Sequence, residues 1–203
     1  MPSDSQALSR RAFGAGLAAG TGFLAFAVPV RALTTDQARG LIDTAISEIN
    51  AVINSGKTES AMFKEFERIF ATYADVPIIA RTALGVDGKR ASPAQMAAFI
   101  KAFQGYISRK YGRRFREFIG GRIEVTDAQP MKSWFEVVSI AHLQGEAPFD
   151  LRWWVSDKSG KNLFFNILIE GVNMRASEAV EIRALLDRNG GDLDALIAEM
   201  NTL

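Results

Sequence analysis

The chain has 203 residues, with 24 Lys and Arg against 23 Asp and Glu, one His and no Cys. So even a charge balance excludes a nucleic-acid footprint and a strongly polybasic membrane binder. The missing cysteine excludes disulfides, thiolate ligands and lipid attachment through an N-terminal cysteine, leaving burial to supply the stability.

Residues 1–32 read as an export leader. Ser9-Arg10-Arg11-Ala12-Phe13 is a twin-arginine pattern, followed by an uncharged run rich in Gly and Ala. Val30-Arg31-Ala32 then offers small residues where a signal peptidase reads. The uncharged run from Ala12 to Val30 is 19 residues, just long enough to span a bilayer, so a membrane anchor is the competing reading. Five Gly or Thr residues in the run and the adjacent cleavage-like site favour removal. Cleavage after Ala32 would leave a single domain of 171 residues, 33–203, with 21 basic and 22 acidic side chains. Twin arginines imply export in a folded state, hence the periplasm.

Thr34 to Asn54 is an amphipathic helix opened by a Thr34/Gln37 capping box, with a stripe from Ala38 through Leu41, Ile42, Ala45, Ile46 and Ile49 to Ile53. A second helix, Ser60 to Ala74, carries Met62, Phe63, Phe66, Ile69, Phe70 and Tyr73 on one face. A short third spans Asp75 to Leu84 and stops at Gly85, and Val86 to Ala91 is a loop. The longest helix runs from Ser92 to Ile119. Ser92, Pro93 and Gln95 open it, and Gly120-Gly121 close it. Its stripe of Met96, Phe99, Ile100, Phe103, Ile107, Tyr111, Phe115 and Phe118 is heavy in aromatics and needs a broad apolar surface opposite it.

After Gly121 the period changes to two. Ile123 and Val125 alternate with polar residues, and Ser133 to Leu143 is a second strand. Phe149, Leu151, Trp153 and Val155 form a third, and Leu163, Phe165, Ile167 and Ile169 a fourth beyond the hairpin loop 157–161. Two helices, Ser177 to Arg188 and Asp192 to Met200, close the chain. The order predicts one α+β domain: helices packed on one face of a curved, four-stranded, mainly antiparallel sheet enclosing an apolar pocket.

The chemistry-bearing motifs are mostly missing. One His and no Cys leave no paired-His zinc spacing. Gly85-Val86-Asp87-Gly88-Lys89 has two residues between its glycines where a phosphate loop needs four, and no GxSxG occurs. His142 falls in phase with Trp134, Glu136, Val138 and Ile140, on the second face of its strand. The runs 149–155 and 163–169 seat no carboxylate, hydroxyl or amine on their oily face, so a general acid or base has no obvious place. No metal and no cofactor are expected. Lys101, Arg109, Lys110, Arg113, Arg114 and Arg116 crowd the end of the long helix, either as a solvated face favouring its negative end or as a docking surface for phosphate or an acidic partner.

Several segments together resemble a known family. Arg81-Thr82-Ala83-Leu84-Gly85, Ser92-Pro93-Ala94-Gln95, Phe99 to Phe103 and Tyr111, then Ile167 to Met174 and Asn189 to Leu196, follow in order the pattern of the MlaC family, also called toluene-tolerance or auxiliary ABC-transporter proteins. The chain departs from that pattern at Gly88-Lys89-Arg90, where the family carries Trp-Arg, and at Asn173, where it often has Ser. The resemblance implies a periplasmic phospholipid carrier, not an enzyme. It would ferry lipid between an outer-membrane lipoprotein complex and an inner-membrane ABC transporter complex, serving outer-membrane lipid asymmetry, with acyl chains inside and headgroup at the mouth. At about 0.8 kcal/mol per methylene, two tails of roughly 16 carbons represent on the order of 25 kcal/mol, so the lining must be long and apolar. The expected ligand-binding residues are Phe99, Phe103, Ile107, Tyr111, Phe115, Val137, Leu151, Trp153, Val155, Phe165, Ile167 and Ile169. Three alternatives stand beside this: a cone-shaped enzyme for a small apolar substrate, which would need a carboxylate or tyrosine pair in its pocket (Tyr106 or Tyr111 could serve), a carrier of another apolar lipid, and an adaptor with a filled core.

Overall fold

The computed structural model describes residues 32–114 and 118–203. The leader reading, apart from Ala32, lies outside the described residues, as does Phe115.

Helix α1, Thr35–Ile53, begins at the expected capping box: the Thr34 hydroxyl accepts from the Gln37 backbone N–H at 3.3 Å, and the Gln37 side chain accepts from the Thr34 N–H at 3.1 Å. Helix α2, Glu59–Tyr73, is capped by Thr58, and α3, Val76–Leu84, by Asp75, whose carboxylate takes the Ile78 N–H at 3.2 Å. Gly85 leaves α3 at φ 62, a left-handed turn that a side chain would strain. A short 3-10 turn, Gly85–Lys89, leads to α4, Pro93–Arg114, which opens on the Ser92/Gln95 capping box. By Phe118 the backbone has entered a turn, with the Gly121 N–H on the Phe118 carbonyl at 2.8 Å.

The sheet is a five-stranded antiparallel meander in chain order: β1 Arg122–Pro130, β2 Phe135–His142, β3 Phe149–Ser156, β4 Leu163–Ile169 and β5 Val172–Asn173. The fifth strand is a two-residue return that turns on Glu170-Gly171, too short to leave a period in the sequence. Asn173 then caps α5, Met174–Arg188, by accepting from the Ala176 N–H, and Asp192 caps α6, Leu193–Met200.

One face of the sheet is covered. Helix α1 packs across β1, β2 and β3, while α3 and α5 lie against β4. The Asn50 side chain reads the β1 backbone as a partner strand would, donating to the Ile123 carbonyl at 2.9 Å and accepting from its N–H at 3.1 Å. Helices α2 and α4 touch closely at Gly112, where a Cβ would stand 2.6 Å from the Phe63 ring. Phe99 and Phe103 of α4, Ile182 of α5 and Leu196 and Met200 of α6 are fully buried and form the solid part of the core.

Candidate functional site

Beside that solid core lies a cavity of about 540 Å³, within the roughly 300–1,000 Å³ usual for small-molecule sites. The sheet supplies Ile123, Leu151, Trp153, Phe164, Ile167 and Ile169 to its wall. Facing them are Ala45 and Ile49 of α1, Phe66, Ile69 and Phe70 of α2, and Ile79 of α3. Ile107, Ser108 and Tyr111 of α4 and Met174 and Glu178 of α5 complete the enclosure.

The inward polar atoms are mostly spent on the protein itself. The Trp153 indole N–H donates to Ser139 Oγ at 2.9 Å, so this large ring offers the cavity only its carbon surface. Ser108 Oγ donates back to the Gln104 carbonyl at 2.8 Å within its own helix. Asn166 Oδ1 receives the Arg175 N–H of the first α5 turn at 3.1 Å, tying β4 to α5.

A polar seam joins α4 to α5. Lys110 Nζ donates to Glu178 Oε1 at 2.7 Å and to Glu181 Oε2 at 2.5 Å, while Tyr111 donates to Glu178 and Tyr106 to Glu181. Burial, reinforced by the neighbouring carboxylates, raises both tyrosines well above the ordinary 10.0, so they stay protonated donors. At Glu181 burial pulls the other way, but hydrogen bonds from Lys110 and Tyr106 outweigh it and hold the carboxyl below its usual range.

Six of the expected lining residues meet at the cavity: Ile107, Tyr111, Leu151, Trp153, Ile167 and Ile169. Five others lie elsewhere. Phe99 and Phe103 sit in the first half of α4, ring centroids 6.0 Å apart, inside the solid core. Val137 and Val155 point to the covered face of the sheet but are wholly buried there by protein. Phe165 is on the opposite face, against Trp134 and Trp154 at 6.4 and 6.0 Å. Its reversal has a local cause. Trp154 pairs with Asn166 and Val155 with Phe164, so Phe165 is the extra residue of a β-bulge, and Phe164 takes the inward place.

Sequence reasoning passed over Phe66, Ile69 and Phe70 of α2, although their stripe was plain, because periodicity does not show what a stripe faces. Phe149 belongs to the wall by the same β3 alternation that selects Leu151 and Trp153. His142 lies away from the cavity, its Nε2 2.9 Å from Glu124 on the sheet's other face. Among the described residues no group of His, Cys, Asp and Glu is arranged to hold a metal ion.

This geometry has a counterpart in a solved structure, a phospholipid-binding protein from Ralstonia solanacearum in complex with a phospholipid. The two share 18% identity and superpose with a TM-score of 0.67, covering 80% of this chain and 98% of that one. The likeness is one of fold. The family model described as MlaC protein matches residues 41–202, which takes in every element from α1 to α6 except the first residues of α1. The chain belongs to the MlaC family.

Proposed function

We propose that the protein is a phospholipid carrier that holds acyl chains in the cavity between sheet and helices. The observation that carries this is the cavity itself: about 540 Å³, walled mainly by aliphatic and aromatic side chains, with the polar atoms of Trp153 and Ser108 turned to protein partners. The phospholipid held by the Ralstonia solanacearum protein of the same fold supports the reading. In this account the twin-arginine leader exports the folded chain to the periplasm. There it passes lipid between outer-membrane and inner-membrane complexes, the latter an ABC transporter that supplies the ATP hydrolysis.

The enzyme alternative draws on one feature, the Tyr111–Glu178 pair at the cavity. The tyrosine proton goes to Glu178 Oε1, the oxygen that Lys110 also binds, while Glu178 Oε2 is buried without a partner among the described residues. That one carboxylate oxygen is the feature an enzyme reading would have to use as its base.

Native mass spectrometry of protein purified from its own periplasm tests the carrier reading. Bound diacyl phospholipid is expected, and Ile169→Trp, which fills the cavity from a half-buried position, should reduce it several-fold. A tightly bound small metabolite would favour the enzyme instead, and lipid retained in full by a folded Ile169→Trp variant would remove the cavity as the binding place.

A further inference from the structure

The first described residues meet the sheet at one point. Ala32 is exposed, but the Leu33 side chain is only 6% exposed and belongs to the core, and the Leu33 backbone N–H donates to Asp157 Oδ2 at 3.0 Å. Leu33 also lines a small recess with Met131 and Lys132, from the connection between β1 and β2, and with Trp134 and Asp157. Its nitrogen is held from both sides: the Leu33 side chain is anchored in the core, and the next residue, Thr34, caps α1.

Asp157 opens the β3–β4 hairpin loop and is half-buried. Other half-buried carboxylates of this protein meet a cation: Arg68 bridges Glu48 and Glu65, and Arg152 bridges Asp150 and Glu136. Asp157 has no such cation among the described residues, and its carboxylate is spent on one main-chain N–H. A cation is one covalent step away. Val30-Arg31-Ala32 ends the leader, so the bond expected to be cut is the one that carries this nitrogen.

Resting on the leader reading, we propose that removal of the leader sets a latch: the Leu33 α-ammonium pairs with Asp157 and pins the start of α1 to the β3–β4 hairpin. A signal peptidase breaks the Ala32–Leu33 peptide bond with one water, whose hydroxyl goes to the Ala32 carbonyl carbon and whose hydrogen goes to the Leu33 nitrogen. That amine takes a further proton from solvent at neutral pH. Leu33 is too buried to be cut in place, so the latch closes only when the cut end settles back. A neutral N–H donor has then become a charged one, at a carboxylate already within reach, and charge-assisted hydrogen bonds are roughly twice as strong as neutral ones. The other charged groups near the amine are Lys132 in the recess, Lys158 next in the hairpin and Asp36 in the first turn of α1. The lysines and the positive end of α1 disfavour an ammonium there, so Asp157, the carboxylate bonded to the nitrogen, decides the balance.

Wild type and Asp157→Asn, exported by their own host and purified from the periplasm, are sequenced from the N-terminus and unfolded thermally at pH 7 and pH 10. The sequence should begin at Leu33. The carboxylate raises the amine's pKa above the unfolded value of about 7.7–8.0, so the pair's contribution is complete below that range and is lost as pH climbs through the folded value. Asp157→Asn should therefore lower Tm at pH 7 by about 2–4 °C more than at pH 10, the tyrosine seam being common to both chains. Selective acetylation of the α-amine, which keeps an N–H donor and removes the charge, should produce the same loss in wild type and none in Asp157→Asn; it also serves where that variant does not fold. A chain that begins at Leu33 but loses equally at both pH values, or is indifferent to acetylation, overturns the latch and leaves the leader reading intact. A first residue elsewhere beyond the leader overturns the latch by removing its amine, and a chain that keeps residues 1–32 overturns the leader reading as well.

Discussion

The two halves of α4 carry one continuous stripe and meet different fates. Phe99 and Phe103, in the first half, are wholly enclosed by side chains of their neighbours, whereas Ile107 and Tyr111, one and two turns further on, face a void. The spacing is the same and the residue types are alike. What differs is the opposing surface: α4 packs against α3 and α6 as well as α2, but the cavity wall opposite Ile107 and Tyr111 is the sheet. A stripe tells which side of a helix is dry, and only the packing tells whether that side is filled.

Truncation is the sharpest way to break the comparison. Phe103→Ala should cost about 3–5 kcal/mol in urea unfolding, because it opens a new hole in packed core. Ile107→Ala enlarges a hole already present and should fall near 2 kcal/mol, the low end for such a change. Equal losses would mean that the two halves are packed alike. A smaller effect comes from the close helix contact. Gly112→Ala drives a methyl into the Phe63 ring and should cost about 1–3 kcal/mol, with much of the loss recovered when Phe63 is also Ala. Additive losses in that double-mutant cycle would place the strain elsewhere.

The least effect is that of pH on the α4–α5 seam. Tyr106 and Tyr111 have raised pKa values in the folded protein, so their contribution is complete below the ordinary 10.0 and declines as pH climbs from there towards the folded values. Glu181 is lowered, so its contribution is present above the ordinary 4.5 and is lost as pH falls through the folded value. Denaturation midpoints should therefore show a plateau between these limits, and Lys110→Met should narrow it from the acid side. A wild-type midpoint that rose above pH 10 would contradict the buried tyrosine pairs.

Much of the fold was legible because its signals are local. Thr34 with Gln37 and Ser92 with Gln95 are capping boxes in the sequence and in the structure, and Gly85 ends a helix where a left-handed residue is required. The site was legible in part. Leu151, Trp153, Ile167 and Ile169 follow from simple alternation, but the alternation fails at Phe165, where one inserted residue hands the inward place to Phe164. Nothing in a period of two announces a bulge. The charged part of the lining was unreadable for another reason: Arg114, Glu146 and Glu170 come from three separate segments, which only the closed chain brings to the same cavity.

Asn50 has a mechanical consequence. By gripping both the N–H and the carbonyl of Ile123, it rivets α1 to the first strand, so those two elements must travel as one plate. When a bulky guest wedges the interior apart, the yielding joint has to be the far one, where Lys110, Tyr106 and Tyr111 meet the flexible carboxylate arms of Glu178 and Glu181 and no backbone group is gripped. Amide exchange in α5 should then respond to cargo, while the hinge-free plate of α1 and β1 stays silent.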